Sequence, residues 1–170
     1  MHTKDFFYLG TKITITVPKT LCFSLIENEL KRIEQKFSRF ISTSKLSELN
    51  SSIKVWQYID TEFTYLCEKA LEFRKNTRGY FDISLKSHLE ASGYNPSYSF
   101  KPSFLSLVKS MFTSKKVPYI LKKQSIYLHR QIEFGGFGKG YAADRIAKIC
   151  DEKHCQKYYI NMGGDILCKG

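Results

Sequence analysis

Glycines are concentrated in one short stretch, and this constrains how the chain can fold. Four of the ten glycines lie between positions 135 and 140, in Gly135-Gly136-Phe137-Gly138-Lys139-Gly140, and two more are adjacent at 163 and 164. Glycine adopts backbone conformations that other residues avoid, so the cluster predicts a tight turn. An amphipathic stretch from about Lys139 to Lys153 follows, which indicates that the cluster opens a helix.

A glycine cluster at the start of a helix can bind an anion. Its backbone N–H groups can approach the ligand closely, the helix dipole favours negative charge there, and Lys139 adds a cation. The cluster lacks the Lys-Ser or Lys-Thr pair of a P-loop. Gly138-x-Gly140-x-x-Ala143 fits only the loose form of the dinucleotide fingerprint. The residues therefore indicate either a phosphate-binding site or a simple tight turn.

The rest of the chain predicts helices interspersed with short strands. Phe6 to Val17 alternates polar and apolar residues, which predicts a strand pair or one bent strand. Thr20 is expected to cap an amphipathic helix that runs to about Phe40. The further predicted elements are a helical turn from Ser44 to about Leu49, helices at Thr61–Arg74 (ended near Gly79) and Phe104–Met111, a helical turn at Ser84–Ala91, a hairpin of Val117–Leu121 and Ser125–Leu128, and strands at Lys157–Met162 and from Asp165. A chain of 170 residues is expected to form one domain.

The charge balance raises one functional alternative. The chain has 27 Lys or Arg and 16 Asp or Glu, a formal net charge of +11. Between Ala91 and Ile132 there are seven basic residues, interleaved with aromatic ones, and no acidic residue. This composition suits nucleic acid, but no helix-turn-helix, zinc-finger or RNP-type motif accompanies it. A solvated lysine-rich surface is the favoured interpretation, and a small nucleic-acid-binding protein stays the alternative.

Three features predict a reduced, cytoplasmic protein. No run of about 18 apolar residues predicts a membrane span. Residues 1–17 lack the apolar stretch of a secretory signal, so cytoplasmic localisation is expected. The five cysteines are odd in number and form no CxxC pair. A metal site around Cys150 and Cys155 is conceivable, but scattered thiols are favoured because the second half of a zinc pattern is absent.

Five segments in order resemble the ApbE family, the FAD:protein FMN transferases. The sequence from Glu133 to Arg145 is similar to that family's glycine-rich signature. The other four segments are Tyr8-Leu9-Gly10-Thr11, the serine-rich stretch from Phe37 to Asn50, Thr77-Arg78-Gly79-Tyr80-Phe81-Asp82-Ile83-Ser84, and Ile160-Asn161-Met162-Gly163-Gly164-Asp165-Ile166. Five matches spread over nearly the whole chain make coincidence a poor explanation.

The resemblance implies a fold and an activity. The implied fold is α+β, with an antiparallel or mixed sheet packed with helices and related to the T-fold. Residues 1–170 would form a single domain that corresponds to the N-terminal portion of the family domain. The implied activity uses FAD as substrate and Mg²⁺ as cofactor: FMN is transferred to a Thr or Ser of an acceptor protein, and AMP is released. A non-catalytic remnant that binds FAD or another nucleotide is the alternative within this resemblance.

The resemblance also implies site residues by position, although it assigns no catalytic side chain. It places six residues at the FAD: Leu9, Phe40, Tyr80, Phe81, Asp82 and Lys139. It implies that the backbone carbonyl of Ala142 ligates the metal. From the residues alone, Phe40, Tyr80 and Phe81 could equally be core residues, Asp82 could cap the turn near Ser84, and Asp144 with Arg145 could be a solvated pair.

The sequence departs from the family pattern at its end. The family domain continues past the Gly-Gly-Asp strand with Asp and Thr metal ligands and a His-x-x-Asp-Pro segment, and none of the four histidines here lies in such a segment. We therefore expect a truncated family domain or a second chain that supplies the rest. A shortened sheet is expected to expose apolar strand edges.

Overall fold

A computed structural model describes residues 1–91, 93 and 117–170. In chain order, its elements are β1 (His2–Tyr8), β2 (Thr11–Val17), α1 (Cys22–Phe37), α2 (Lys45–Ser51), β3 (Trp56–Tyr58), α3 (Thr61–Asn76), α4 (Lys86–Ala91), β4 (Tyr119–Lys122), β5 (Ser125–Leu128), α5 (Gly138–Glu152), β6 (Tyr158–Met162) and β7 (Asp165–Lys169). They fall into two compact units, which we describe separately: unit 1 contains Met1–Lys45 and Phe134–Gly170, and unit 2 contains Leu46–Glu133.

Unit 1 is a four-stranded antiparallel sheet packed against two helices. The strand order is β1-β2-β6-β7, so the first hairpin of the chain pairs with the last. One face of β2 is buried through Ile13, Ile15 and Val17, as the alternating pattern predicts. The apolar stripe of α1, which contains Ile26, Leu30, Ile33 and Phe37, is buried with the inner side of α5. The buried side chains of the sheet, of α1 and of α5 together form the core of the unit.

Unit 2 is a small antiparallel sheet with helices. Its strand order is β3-β5-β4, which leaves β4 and its flanking Pro118 at an edge, as expected for proline. Asp60 caps α3 by accepting a hydrogen bond from the Phe63 amide, with N···O 2.9 Å. Gly79, with φ +89°, follows the end of α3, and its N–H reaches back to the Arg74 carbonyl. The predicted glycine stop after this helix is therefore confirmed.

Two local expectations were wrong, and one strand was missed. Thr20 does not cap α1: Leu21 occupies the N-cap position with helical dihedrals and no side-chain hydrogen bond. The chain enters the helix through backbone turns, in which the carbonyl groups of Lys19 and Thr20 accept the first amide hydrogens. The helix ends at Phe37 rather than Phe40 because Ser38 is extended. The short strand β3 was not predicted, since it exists only through its pairing with the distant β5.

The α+β fold class is confirmed, and every strand pairing among the described residues is antiparallel. The helix predicted at Phe104–Met111 lies outside the described residues. No helix in the described parts of the chain has the length and hydrophobicity needed to cross a membrane.

Candidate functional site

The turn between β1 and β2 places Leu9 in a restricted backbone conformation. Leu9 and Gly10 have φ values of 57° and 69°, the signs required at both central residues of a type I′ hairpin turn. Glycine adopts this region freely, whereas a leucine side chain opposes it. The Leu9 N–H donates to Glu34 Oε1 on α1 at 2.6 Å. A side chain of the neighbouring helix therefore holds the backbone of this turn.

The glycine pair between β6 and β7 forms a second turn beside the first. Both glycines have positive φ, and the Gly164 N–H donates to Asn161 Oδ1 at 2.8 Å. A Cβ at Gly163 would clash with the side chain of Thr11, the first residue of β2. The backbone of one turn therefore approaches the other too closely for any residue larger than glycine. The two turns lie side by side at one end of the strands. The name sheet edge is used below for this end of unit 1.

The glycine-rich start of α5 reaches the same edge. Lys139 Nζ lies 3.6 Å from an oxygen of Asp165, the first residue of β7. No acidic residue occupies the first turn of α5, and there is open space where a Cβ of Gly140 would lie. The first N–H groups of a helix lack partners within the helix and carry its positive dipole end. A diphosphate is typically bound by amide donors and a lysine, at a glycine where no side chain blocks its approach.

Arg145, nearly two turns further along α5, belongs to an ion-pair network with α1. Its Nε donates to Glu29 Oε1 at 2.7 Å, and Arg32 Nε donates to Glu29 Oε2 at 2.8 Å. Hydrogen bonds from Arg32 and then Arg145 outweigh the effect of burial and lower the pKa of Glu29. The suggestion of a solvated Asp144–Arg145 pair is therefore wrong, because Arg145 joins the two helices of unit 1 through Glu29.

The described residues contain no obvious metal site. Ala142 is completely buried within α5, so only its backbone carbonyl could serve as a ligand. Among the described residues, no group of three or more His, Cys, Asp or Glu side chains is placed to hold a metal ion. Cys22 and Cys155 do lie close together, with Sγ atoms 3.7 Å apart and both thiols buried. The suggested Cys150 and Cys155 metal site is thus not supported.

Phe40 follows α1 and is half-buried in unit 1. The guanidinium carbon of Arg39 lies 4.3 Å from the centre of its ring, a cation–π distance. The Phe40 N–H donates to Ser38 Oγ at 3.2 Å, and this hydrogen bond fixes the backbone of the loop. One face of the ring is therefore occupied by an arginine, and the residue is not simply part of the core.

The predicted segment in unit 2 is built around Asp82. Asp82 Oδ1 accepts hydrogen bonds from the Ser84 N–H at 2.8 Å and the Ser84 hydroxyl at 2.7 Å. Its other oxygen accepts one from Arg74 Nε at 3.1 Å, and Arg130 lies 4.0 Å away. Burial tends to raise the pKa of Asp82, but the hydrogen bonds from Ser84 and Arg74 outweigh it and hold this pKa below its usual range. The carboxylate is charged at neutral pH and caps the turn at Ser84.

The two aromatic residues before Asp82 are placed differently. Tyr80 is 93% exposed, so it is not a core residue. Phe81 is half-buried and packs edge-to-face on Phe73 of α3, with ring centres 5.6 Å apart. The Thr77 hydroxyl accepts a hydrogen bond from the Phe81 N–H at 2.9 Å. This segment is therefore an ordered turn that presents the Tyr80 ring to solvent.

Asn50 fixes the chain just before the glycine cluster. Its side-chain amide donates to the Ile132 carbonyl and accepts from the Ile132 N–H, both at 2.8 Å. On the other side, the Glu133 N–H donates to the Ile83 carbonyl at 2.7 Å. Within unit 2, these hydrogen bonds therefore connect the end of the serine-rich stretch, through Ile132 and Glu133, to the segment that carries Asp82.

The structure brings Leu9 and Lys139 to one edge of unit 1, and keeps Tyr80, Phe81 and Asp82 in one turn of unit 2. Sequence reasoning missed Glu34, Glu29, Asn50 and Asp165 as residues that hold these segments. The amphipathic pattern of α1 does put Glu27 and Glu34 on the same side of the helix, seven residues apart. It does not reveal which turn that side faces.

Comparison with known proteins gives consistent matches. The model of a family described as the ApbE family matches residues 9–170. The FAD:protein FMN transferase of Haemophilus influenzae is 23% identical, over 93% of this chain and 48% of that protein. Two solved structures share the fold. Pseudomonas stutzeri flavinyl transferase ApbE has a TM-score of 0.85, 17% identity, and coverage of 99% of this chain and 61% of that one. Flavin transferase ApbE from Vibrio cholerae has a TM-score of 0.87, 16% identity, and coverage of 99% and 59%.

The matches are partial with respect to the relatives. The chain spans about half the length of the curated relatives that it matches, between 45% and 56% of each. Both solved structures are less than 25% identical to this chain in sequence, so their structural similarity supports the fold alone.

Proposed function

Because the chain belongs to the ApbE family, we propose that it is an FAD-binding flavin transferase module. The observation that carries this proposal is the sheet edge of unit 1, where the start of α5, Lys139 and two glycine-containing turns meet. The family match covers both turns and the helix start. FAD is the proposed substrate, and FMN attached to a Thr or Ser of an acceptor protein is the proposed product.

The proposal assigns the FAD diphosphate to the start of α5. Lys139 would supply a charged donor, and the first N–H groups of the helix would supply neutral ones. Asp165 competes for Lys139 in the free protein, since their charged atoms lie 3.6 Å apart. A doubly charged diphosphate is the stronger partner for lysine, so binding would exchange one ion pair for another.

The flat rings of FAD need apolar or aromatic surfaces. In unit 1 the proposed contacts are Leu9 and Phe40. In unit 2, taken by itself, the resemblance proposes Tyr80, Phe81 and Asp82. Tyr80 suits this role because an ordered turn presents its ring without burying it. Stacking on such a ring adds to the area that a flavin or an adenine buries.

The proposed reaction moves one phosphoryl group. The hydroxyl oxygen of the acceptor Thr or Ser attacks the FMN phosphorus, the bond to the bridging oxygen breaks, the hydroxyl proton is lost and AMP leaves. Negative charge grows on the departing phosphate, where a lysine and helix amides would stabilise it. These residues bind and orient the diphosphate, and no described residue is assigned as the base.

Magnesium stays a prediction from the resemblance. The described residues do not fit a magnesium site by themselves, because they lack a cluster of acidic side chains and offer only the Ala142 carbonyl. We therefore derive no step through the metal. The proposal is that the other ligands lie in the part of the longer relatives that this sequence does not match, supplied by a second chain or by a longer form of this one.

FAD binding tests the proposal directly. We expect the purified chain to quench flavin fluorescence on titration with FAD, and the Lys139→Ala variant to bind about tenfold more weakly or worse, the loss typical of a charged hydrogen bond. Lys148→Ala is the matched control, because Lys148 lies on the same helix and pairs only loosely with Glu152, at 3.9 Å. Failure of the wild-type chain to bind FAD, or equal weakening by both variants, would contradict the proposal.

Turnover separates a transferase from a non-catalytic FAD binder. The second candidate is a module that binds FAD without activity. With FAD and Mg²⁺, we expect AMP by chromatography only when the remaining part of a full-length relative is added in trans. AMP release by the chain alone would show that the missing part is not required. Binding without AMP under both conditions would favour the non-catalytic module.

The partners follow from the same proposal. We propose FAD and an acceptor flavoprotein with a Thr or Ser target as partners, and a second chain where the missing part is separate. We also propose the cytoplasm as the location of the protein. Mass spectrometry of acceptors modified in cells that express the chain would identify the target.

A further inference from the structure

We propose that Glu34 is a positioning residue that sets the FAD-binding shape of the Leu9 turn. This inference rests on the proposed function, because it concerns how one contact of that site is held in place. Glu34 lies on α1, 25 residues from Leu9 in the sequence, and its Oε1 accepts the Leu9 N–H at 2.6 Å. No motif of the sequence singles out this glutamate.

The turn needs an external support because of its residue. Type I′ turns favour Asn or Gly at the first central position, and leucine in the left-handed region is disfavoured. Leu9 nevertheless has φ 57°. A strained residue of this kind persists where the surroundings over-determine it, and such residues cluster at functional sites. The hydrogen bond from the Leu9 N–H to a carboxylate is a strong, directional support for the strained residue.

The position of the turn links this support to the site. Thr11, two residues after Leu9, lies against Gly163, and Asp165 follows that glycine and pairs with Lys139. A shift of the Leu9 turn would therefore change the edge that carries the proposed flavin contact. The diphosphate contacts at the start of α5 belong to a different element and would change less.

Glu27 provides an internal comparison for Glu34. It lies two turns earlier on α1 and also contacts the first hairpin, but through side chains: Lys4 Nζ at 3.1 Å and the Tyr8 hydroxyl at 3.4 Å. It pairs in addition with Lys31 on its own helix. Glu27 therefore supports the hairpin through side-chain contacts, whereas Glu34 accepts a hydrogen bond from the backbone of the turn itself.

Three variants test the proposal: Glu34→Ala, Glu34→Gln and Glu27→Ala. For each, the affinities for FAD and for ADP are measured by calorimetry, and the visible absorbance of bound flavin is recorded. ADP carries the diphosphate and the adenosine without the flavin, so it reports on the start of α5 and any adenine contact but not on the flavin contact at Leu9. Thermal unfolding of each variant is recorded beside these values, to compare their stabilities.

We expect Glu34→Ala to weaken FAD binding about tenfold, the loss typical of one hydrogen bond to a charged group, and to shift the flavin absorbance. Glu34→Gln keeps an oxygen acceptor and should restore FAD affinity to within about threefold of the wild type. ADP affinity should change by no more than about twofold in any variant. Glu27→Ala should leave FAD affinity unchanged even where it lowers stability.

Two results would overturn the inference while leaving the proposed function intact. The first is equal FAD affinity of the wild type and Glu34→Ala. The second is a parallel loss of FAD and ADP affinity in Glu34→Ala and Glu27→Ala, which would reveal a purely structural role. A wild-type chain that binds ADP but not FAD, or neither, would overturn the proposed function and this role together.

Discussion

Leu9 shows how a single residue can oppose its local preference. Its positive φ and its bond to Glu34 are found together, in a turn where Asn-Gly would fold more readily. Residues that break a local rule are expected where function requires them. The sequence shows that Gly10 suits a turn, but it gives no reason for leucine at the preceding position.

Leu9→Asn should therefore separate stability from binding. Asparagine tolerates the left-handed region, so we expect the free energy of unfolding to rise by about 0.5–1 kcal/mol in urea titrations. FAD affinity should fall, because the apolar contact is lost. An unchanged FAD affinity would remove Leu9 from the proposed site, and a lower stability would contradict the strain argument.

Asp82 should make stability depend on acidic pH. Its pKa in the folded chain is held below the ordinary value for aspartate, so its contribution to stability is fully present above that ordinary value and is lost as the pH falls through the lower folded value. At neutral pH, Asp82→Asn should lower the free energy of unfolding by about 1–3 kcal/mol, since it weakens the bonds with Ser84 and Arg74. This difference should shrink as the pH falls below the ordinary aspartate pKa, as urea unfolding would show. A constant difference would mean that charge plays no part.

At the scale of elements, local patterns predicted most of the fold. The strand β2, the helices α1, α3 and α5, and the glycine turn between β6 and β7 all follow from periodicity and glycine placement, and the hairpin of β1 and β2 is one of the two arrangements that the alternating pattern left open. The strand β3 and the true start of α1 do not, because distant pairing and backbone turns decide them. In the candidate site, too, local features could be predicted from the sequence and contacts between distant elements could not. The start of α5 is readable in the sequence, whereas the contact of Glu34 with Leu9 depends on how α1 lies on the hairpin.

The edge strand β7 carries the one exposed cysteine of this chain. All five cysteines lie within the described residues, and only Cys168 is exposed. Burial raises the pKa of the Cys150 thiol to about 12, and it also raises the pKa of Cys22 and Cys67. Thiolate is the reactive form, so buried thiols should react slowly.

A thiol-reactive dye should therefore titrate one group quickly in the native chain and all five in denaturant. Cys168→Ser should abolish the fast phase and leave the slow ones. Fast labelling of two or more thiols, or a fast phase that survives in Cys168→Ser, would contradict the burial of the other four.

At the scale of the whole molecule, the net charge of +11 leaves nucleic acid as the competing ligand. Lysines that bind phosphates release counterions, so such binding falls steeply with salt. We expect RNA and DNA of random sequence to bind weakly and to be lost at physiological salt, while FAD binding persists. Retention of nucleic acid at that salt, together with the absence of FAD binding, would favour the alternative that the composition raised. Filter binding and flavin fluorescence in the same buffers would decide between them.

The split composition of unit 1 has a consequence for synthesis on the ribosome. The first part of unit 1 ends at Lys45, and the second part begins at Phe134. Strand β2 therefore cannot pair with β6, where Ile13 faces Met162, until the second part has been synthesised. Unit 2 emerges complete in the meantime. The nascent hairpin and α1 thus expose their apolar faces while the 88 residues of unit 2 are translated. Exposed apolar surface of this kind is what chaperones bind. Slower translation of residues 46–133 would lengthen that exposure, and faster translation would shorten it.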